Sequence, residues 1–306
     1  MSDVEHEFTS DIEEESDIEQ ESTWTLGTEE ESISNIKRLH DNDPTLTYFN
    51  VWEPFSDDIA AALKQNTTLA SLGIYCKLNM DSVQRVVEVM RENSSIYYLV
   101  LCNCGIDAES IQHIAEALRT NTTLTYLSLA DNKIGPVGAR YLAEVLETNM
   151  SLTGLDLKFN NIGSEGTKDL AQVLRINPTL QYLDLLQNGI AADGAEALAD
   201  ALRVNSTLKT LDLSFNNIRM EGARHLADAL RINTGLTCLR VFSNNFKVVG
   251  AEAIVDSLQS NSTLLHITID GICHEPYTEL LERNEQHSKT RDPSLLDRLL
   301  VYLKNE

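Results

Sequence analysis

The sequence has no apolar run long enough to cross a membrane, and it has none near its N-terminus. No 18 consecutive residues of the 306 are apolar, whereas a transmembrane helix needs about 20. A secretory signal peptide likewise requires an apolar stretch close to the N-terminus. We therefore predict neither a membrane partner nor secretion. We expect the protein in the cytoplasm, with the nucleus as an alternative.

Basic residues and cysteines are also scarce. The sequence has 24 Lys and Arg against 47 Asp and Glu, a net charge of −23. Binding to a phosphate backbone requires clustered Lys and Arg, so we predict no nucleic-acid partner. The five cysteines are an odd number without framework spacing, which indicates reduced thiols. Cys102 and Cys104 form one close pair without a second, so no zinc site is predicted.

Signatures of cofactor binding and catalysis are missing as well. The sequence contains no G-x-G-x-x-G motif and no P-loop, so no cofactor is predicted. Its seven histidines are scattered, without a Ser/His/Asp or Cys/His grouping. An oriented base in a water-excluding cleft is not indicated either. We therefore predict that the chain is not an enzyme.

The sequence does contain one short motif that recurs at a fixed interval. LSLADNKI at 127–134 is followed by LDLKFNNI at 155–162 and LDLSFNNI at 211–218. The slot that opens each copy recurs every 28 residues, at Ile96, Leu124, Leu152, Leu180, Leu208, Leu236 and Leu264. Two looser copies start near Leu46 and Leu69. A period of this length is typical of a solenoid, in which each repeat packs on its neighbours.

Each copy reads as a short strand followed by a helix. Leu127 and Leu129 lie two apart and share one face of a strand. Ala139, Leu142 and Leu146 then follow at helical spacing and form an apolar stripe. One repeat cannot close the thin apolar layer between its strand and its helix. Stacked neighbours therefore supply the core.

Composition divides the chain into four parts. Residues 1–31 contain thirteen Asp and Glu and no Lys or Arg, which predicts a disordered acidic tail. Residues 32–43 predict an N-terminal capping helix, and residues 44–274 contain about eight or nine repeats. Residues 275–306 predict a C-terminal helical cap made of two helices, with Pro293 in the first turn of the second.

Two serines in the acidic tail are candidate phosphorylation sites. Ser10 and Ser16 each have acidic residues at +1 and +3, as an acidophilic kinase requires. Phosphorylation there would add further negative charge. The alternative is that the tail only solvates the chain, as charge runs commonly do.

Two asparagines recur in every regular repeat. The first, as in Asn132 and Asn188, follows the strand, where a buried amide can satisfy unpaired backbone groups. In the copy that starts at Ile96 a cysteine, Cys104, replaces it. The second, as in Asn121, follows the helix, and we expect it to adopt the left-handed conformation of a helix C-terminus. Six of the second group are N-x-Ser/Thr sequons, which we interpret as capping residues rather than glycosylation sites.

The repeat pattern resembles a known family. L-x-x-L-x-L-x-x-N/C-x-I with G-A-x-x-L-A-x-A-L-x-x-N is similar to the ribonuclease-inhibitor class of leucine-rich repeats, also found in NOD-like receptors. Residues 96–272 match closely, and residues 44–95 match loosely. The segments NDPTLTYFNV and ALKQNTTLASL are similar to the C-terminal domain of tropomodulins. This resemblance implies a curved α/β solenoid with a parallel β-sheet on the concave side and α-helices on the convex side.

The residues between the buried leucines are candidates for binding. In such an array they point to the concave face, and we select Tyr98, Tyr126, Asp156, Phe159, Tyr182, Asp184, Asp212, Phe215, Arg240 and Phe242. Three aspartates occupy the same slot in adjacent repeats, about 5 Å apart by strand spacing. Like charges this close repel and raise one another's pKa values unless a basic group comes near, so we interpret them, with exposed aromatic rings, as a surface for a basic segment of a partner. Alternatively, Asp suits this strand position as a solvated carboxylate that needs no ligand, and the rings pack on each other.

We therefore expect a monomeric, non-catalytic protein-interaction module with a regulatory or scaffolding role. Asp184→Lys is expected to abolish partner binding without unfolding the array. The family resemblance implies two alternatives. One is a GTPase-activating protein resembling the Ran GTPase activator, for which Arg219 or Lys133 lies at the rim; the other is a tropomodulin-like actin-filament binder. The convex helices are the alternative binding surface.

Overall fold

A computed structural model shows parallel strands alternating with helices along the chain. The structure describes residues 29–270 and 275–291. The strands are β1 (Tyr48–Val51), β2 (Ser71–Ile74), β3 (Tyr98–Leu101), β4 (Tyr126–Ser128), β5 (Gly154–Asp156), β6 (Tyr182–Asp184), β7 (Thr210–Asp212), β8 (Cys238–Arg240) and β9 (His266–Thr268). The predicted disordered tail falls mainly on residues 1–28 and the second C-terminal helix on residues 292–306, which lie outside the described residues.

Helices flank and connect the strands. They are α1 (Glu29–His40), α2 (Asp57–Gln65), α3 (Met80–Glu92), α4 (Ala108–Leu118), α5 (Gly135–Leu146), α6 (Gly163–Leu174), α7 (Ala192–Leu202), α8 (Arg219–Leu230), α9 (Lys247–Ser257) and α10 (Glu275–Arg291). Every neighbouring pair of strands is parallel, and the nine strands form one sheet in chain order. In the described residues, no helix has the length and apolar character needed to cross a membrane.

The repeated leucines form one continuous core. Leu127, Leu155 and Leu183 lie opposite one another on adjacent strands, and all three are completely buried. On the helix side, residues such as Leu142 and Leu170 close the same layer. The predicted α/β solenoid is therefore confirmed. The physical basis of this fold is that the apolar layer between the strand and the helix of one repeat stays partly exposed until the next repeat packs on it.

The asparagines that follow the strands form a buried ladder, here called the inner asparagine ladder: Asn132, Asn160, Asn188, Asn216 and Asn244. Asn188 shows the pattern. Its amide nitrogen donates to the Leu157 carbonyl at 2.8 Å, and its oxygen accepts the backbone N–H groups of Asn160 and Ile162 at 3.1 and 3.2 Å. The predicted role of these amides is confirmed. Cys104 replaces the amide in β3's repeat, and its thiol donates to the Ile74 carbonyl.

The asparagines that follow the helices form a second set, the helix-end asparagine ladder: Asn66, Asn93, Asn121, Asn149, Asn177, Asn205, Asn233 and Asn261. Each side chain donates to a carbonyl in the last turn of the helix one repeat earlier, as Asn149, which follows α5, does to Leu118 of α4 at 2.8 Å. Each also accepts the backbone N–H three residues further on. All eight are buried, so a glycosylating enzyme could not reach them in the folded state.

The expected left-handed conformation of these asparagines is wrong. Asn66 and Asn93 have φ of −74° and −79°, which is extended backbone. The eight lie outside the set of described residues with positive φ. The physical reason is that an extended residue turns its amide back toward the previous helix. Its side chain then bonds between repeats, which a left-handed cap with backbone bonds alone does not achieve.

The helix-end asparagine ladder is completed differently at the two ends of the array. At the N-terminal end, Asn66 donates to the Leu39 carbonyl of α1. At the C-terminal end, the Arg283 guanidinium of α10 donates to the carbonyls of Leu258 and Asn261 at 3.0 and 2.6 Å. These are the carbonyls that the asparagine of a further repeat would satisfy. An arginine on a differently built helix therefore takes over that role.

Candidate functional site

Three of the selected aspartates form a row across adjacent strands. Asp156, Asp184 and Asp212 lie opposite one another in register, and we call them the carboxylate row. Ser128 and Arg240 extend it by one strand on each side. The three aspartates are only 4–5% exposed. The expectation that they are solvated is therefore wrong, although they lie on the predicted strand face.

Each carboxylate of the row accepts a hydrogen bond from the turn that follows its own strand. Asp156, Asp184 and Asp212 accept the backbone N–H two residues further on, at 3.0, 2.9 and 2.8 Å respectively. Such a bond fixes the chain where it leaves the strand. This supports the alternative that aspartate suits the strand position of this repeat. It also fixes the carboxylates in place, because each has one oxygen tied to the backbone.

Tyrosines above the sheet bury the row. The Tyr98 and Tyr126 rings stack with centroids 4.3 Å apart, and the Tyr126 and Tyr182 rings meet at 6.0 Å. Tyr126 and Tyr182 lie two strands apart, and Gly154 lies between them. A Cβ at Gly154 would come within 2.5 Å of the Tyr126 ring. Because Gly154 has no side chain, the Tyr126 ring can extend over β5 toward Tyr182. Tyr182 is itself buried.

Charge is unevenly balanced along the row. The Lys158 Nζ lies 3.6 Å from Asp156, and an Arg240 nitrogen lies 3.8 Å from Asp212. Asp184, between them, receives the Tyr182 hydroxyl at 3.2 Å. Burial, and then the neighbouring charges of Asp156 and Asp212, raise the pKa of Asp184 to about 7. Burial likewise raises the pKa of Tyr126 above its usual range.

This burial changes what a substitution at Asp184 would do. Asp184→Lys would place an ammonium group in a buried position instead of a surface contact. Burying an unpaired charge is strongly unfavourable. The burial of Asp184 therefore removes the basis for expecting Asp184→Lys to leave the array folded, and we expect this variant to lose stability as well as binding.

Three selected phenylalanines follow the strands β5, β7 and β8, just beyond the carboxylate row and Arg240. Phe159, Phe215 and Phe242 are 41, 49 and 47% exposed, and we call them the phenylalanine edge. The Phe215 and Phe242 rings meet edge to face at 5.6 Å. Phe159 and Phe215 have φ of 58° and 55°. A left-handed backbone costs an ordinary residue roughly 1–2 kcal/mol, and the corresponding slot in β3's and β4's repeats holds Asn103 and Asp131.

Sequence reasoning missed the aromatic residues of the first two repeats. Trp52 and Tyr75 stack with ring centroids 4.3 Å apart, and Tyr48 is 64% exposed. Tyr48 occupies the position that Tyr98 occupies in its repeat. Trp52 and Tyr75 occupy the position that Phe242 occupies later in the array. Extending the register backwards from Leu46 and Leu69 would have identified them. The shorter spacing of those two copies hid the correspondence.

The two rim candidates, Arg219 and Lys133, lie in different repeats. Arg219 is exposed, with φ of 60°, and its guanidinium donates to the Asn217 side chain. Lys133 is exposed and pairs through its backbone with Asp107. Among the described residues, no three His, Cys, Asp or Glu side chains are arranged to hold a metal. Ser10 and Ser16 lie outside the described residues.

One sheet of parallel strands, one layer of helices and two asparagine ladders define a leucine-rich-repeat solenoid, a fold that serves as a protein-binding module. A family model described as leucine-rich repeat matches residues 120–143, 148–171, 177–199, 204–227 and 233–255. A comparison with curated proteins finds no match.

Two solved structures are similar to part of the chain. Actin-binding site 2 of leiomodin-1 aligns with a TM-score of 0.45 and 24% identity, covering 54% of this chain and 95% of the leiomodin chain. The tropomodulin C-terminal domain from Caenorhabditis elegans aligns with a TM-score of 0.42 and 15% identity, covering 59% and 96%.

Proposed function

We propose that the chain is a non-catalytic adaptor that binds a partner protein on its strand face, at the phenylalanine edge beside the carboxylate row. The repeats are of the ribonuclease-inhibitor-like kind, and the protein acts as a cytoplasmic monomer. The partner presents a basic segment. Its cations lie above the fixed negative charge of the row, and its apolar side chains pack on Phe159, Phe215 and Phe242.

The backbone of Phe159 and Phe215 carries this proposal. Both residues combine an unfavourable left-handed conformation with an aromatic ring that is almost half exposed. Asparagine or glycine would remove both costs at that position. A large apolar side chain retained in a strained, exposed position indicates a role outside folding, and exposed aromatic residues are common in binding hot spots.

The carboxylate row supports a basic rather than an acidic partner. Its charges cannot turn away into solvent, because each carboxylate is held by its own turn. An incoming cation would therefore meet negative charge that is already oriented. A nearby cation also favours ionised Asp184, whose pKa is raised to about 7 in the free protein.

We predict that Phe159→Asn with Phe215→Asn weakens partner binding at least tenfold while leaving the array as stable or more stable. Asparagine suits the left-handed backbone, so relief of strain is expected to raise the free energy of unfolding by roughly 1 kcal/mol. Binding is measured by fluorescence anisotropy with Lys/Arg-rich peptides selected against the wild-type chain. Thermal unfolding gives the stability.

Val248→Thr with Val249→Thr is the matched control, because these residues are 57 and 49% exposed at the start of α9, outside the strand face. The control should bind as the wild type does. Equal binding by the phenylalanine variant and the wild type would refute the proposed surface. Stimulated GTP hydrolysis by small GTPases, or altered pointed-end actin elongation, would instead favour one of the two alternatives.

A further inference from the structure

A second unusual surface lies where α6, α7 and α8 end. Ile176, Val204 and Ile232 follow these helices in the same slot, and they are 65, 59 and 56% exposed. The other described repeats hold a polar residue there, namely Gln65, Glu92, Thr120, Thr148 and Ser260. Three adjacent repeats therefore expose a branched apolar side chain where the fold accepts a polar one. We call these three residues the aliphatic row.

Some of the polar residues in this slot have a local role that the aliphatic row lacks. The hydroxyl groups of Thr120 and Thr148 each donate to the carbonyl three residues earlier, at 3.3 Å. Ser260 does the same at 3.2 Å. Isoleucine and valine have no hydroxyl to donate, and an exposed side chain gains little from burial of apolar surface. Folding therefore does not explain why three adjacent repeats carry them.

Exposed arginines precede the residues of the aliphatic row, and we call them the arginine row: Arg175, Arg203 and Arg231. No Asp or Glu occurs in the three segments around them, which are residues 174–183, 202–211 and 230–239. The whole chain, by contrast, has a net charge of −23. The negative end of a helix favours a basic residue by itself, but it does not favour an exposed isoleucine beside it. This surface thus combines positive charge with apolar side chains.

The contacts of the arginine row leave it able to bind a further carboxylate. The Arg203 Nε lies 3.5 Å from an Asp200 carboxylate oxygen. One Arg231 nitrogen lies 3.2 Å from Asp228, and Arg175 donates to the Asp200 carbonyl at 3.4 Å. Ion pairs as exposed as these contribute little to stability. A guanidinium has five N–H donors, so a carboxylate of a partner can bind each arginine without displacing its neighbour.

The spacing of the two rows matches the spacing of residues in a helix laid across them. α6 packs on α7 and α7 on α8, and packed helices lie about 8–10 Å apart, so three successive positions span roughly 16–20 Å. In an α-helix, residues seven apart share one face and lie about 10.5 Å apart. A helix across the three ends therefore places every seventh residue against one position of the aliphatic row.

We propose that the aliphatic and arginine rows bind an acidic amphipathic helix of a second partner protein, with an apolar side chain at every seventh residue and Asp or Glu beside it. The apolar side chains pack on the aliphatic row, and the carboxylates bind the arginines. Both rows precede the strands, whereas Phe159 and Phe215 follow them. Because the strands are all parallel, the two surfaces lie at opposite edges of the sheet. The chain can therefore bridge a basic and an acidic partner.

Peptide selection tests the charge of the partner and the position of its site together. A display library of helical peptides, with leucine at every seventh residue and random neighbours, is selected on the wild-type chain. It is then counter-selected on a row variant that combines Ile176→Thr, Val204→Thr and Ile232→Thr. Threonine occupies this slot after α4 and α5, so this variant is expected to stay folded.

The peptides that bind only the wild type are expected to be rich in Asp and Glu. Their affinity, measured by fluorescence anisotropy, should fall at least about tenfold when the arginine row is removed by Arg175→Gln, Arg203→Gln and Arg231→Gln. The chain as a whole repels an acidic peptide, because its net charge is −23. Binding of such a peptide therefore reports on a local basic surface.

Two single substitutions outside the rows are the matched controls. Arg119→Gln removes an exposed arginine from the same slot after α4, where Thr120 takes the aliphatic position. Val137→Thr changes a valine that is 44% exposed on α5. Both should bind the selected peptides within about twofold of the wild type. So should Phe159→Asn with Phe215→Asn, which separates a failure here from a failure of the strand-face proposal.

Three outcomes would overturn the proposal. The first is that no peptide depends on the aliphatic row, or that those that do lack an excess of Asp and Glu. The second is unchanged binding by the arginine variant, or an equal loss with the controls. The third concerns the free chain, in which a soluble paramagnetic agent should strongly broaden the methyl signals of the aliphatic row. Weak broadening at every concentration would mean that the chain covers the row itself, and weak broadening only at high concentration would assign the row to a second copy.

Discussion

Asn188→Ala is expected to lower the free energy of unfolding by about 3–5 kcal/mol. The side chain is completely buried, donates to the Leu157 and Leu186 carbonyls and accepts the N–H groups of Asn160 and Ile162. Alanine leaves the N–H groups of Asn160 and Ile162 without partners in a space closed to water, and it takes one donor from each of the two carbonyls, which keep a second one. Each buried unsatisfied group costs about 1–3 kcal/mol. Urea unfolding followed by circular dichroism measures the loss.

Asn217→Ala provides the comparison for this prediction. Asn217 is only partly buried, and its side chain contacts Arg219 and Asn245 at the surface. Its removal is expected to cost less than about 1 kcal/mol. If Asn188→Ala were no more destabilising than Asn217→Ala, the inner asparagine ladder would not carry the structural role assigned to it.

Asp184→Asn is expected to stabilise the protein above pH 7, by roughly 2–4 kcal/mol at pH 8. The folded-state pKa of Asp184 is raised from 3.8 to about 7, so the folded protein binds this proton more tightly than the unfolded chain does. Stability is therefore lost as pH rises from about 4 to about 7. Asparagine accepts the Leu186 N–H through its amide oxygen and removes the charge next to Asp156 and Asp212.

The pH dependence distinguishes this effect from ordinary repacking. Below about pH 4 the wild-type carboxyl is protonated in both states, so the advantage of the asparagine should vanish there. Chemical unfolding at several pH values between 4 and 8 measures the difference. Asp131→Asn makes the same substitution at an exposed position and is measured alongside. A constant difference between Asp184→Asn and wild type at all pH values would contradict a raised pKa.

Periodicity in the sequence was sufficient to predict the fold. Leu127, Leu155 and Leu183 are interchangeable from one repeat to the next, and their positions fix strand direction, register and core together. The inner asparagine ladder was predictable for the same reason. An amide that recurs directly after a strand has few roles other than bonding to the backbone there.

The environment of the site was not predictable in the same way. Alternation shows that Asp184 lies on the strand face away from the core, but not that it is buried. Its burial depends on Tyr126 leaning across Gly154 toward Tyr182, a contact between different repeats. The predicted conformation of the helix-end asparagines was wrong for a related reason. Their conformation is set by a bond to the previous repeat, whereas local preference alone suggested a left-handed cap.

The helix-end asparagine ladder also bears on how such a chain can change its length. From Asn121 onward, each side chain bonds to a carbonyl 31 residues earlier, whereas Asn66 and Asn93 bond 27 and 30 residues back. Duplicating or deleting a 28-residue block within the uniform stretch would join equivalent partners again. The same operation among the first repeats would not. Growth by tandem duplication is therefore permitted in the middle of the array and obstructed at its beginning.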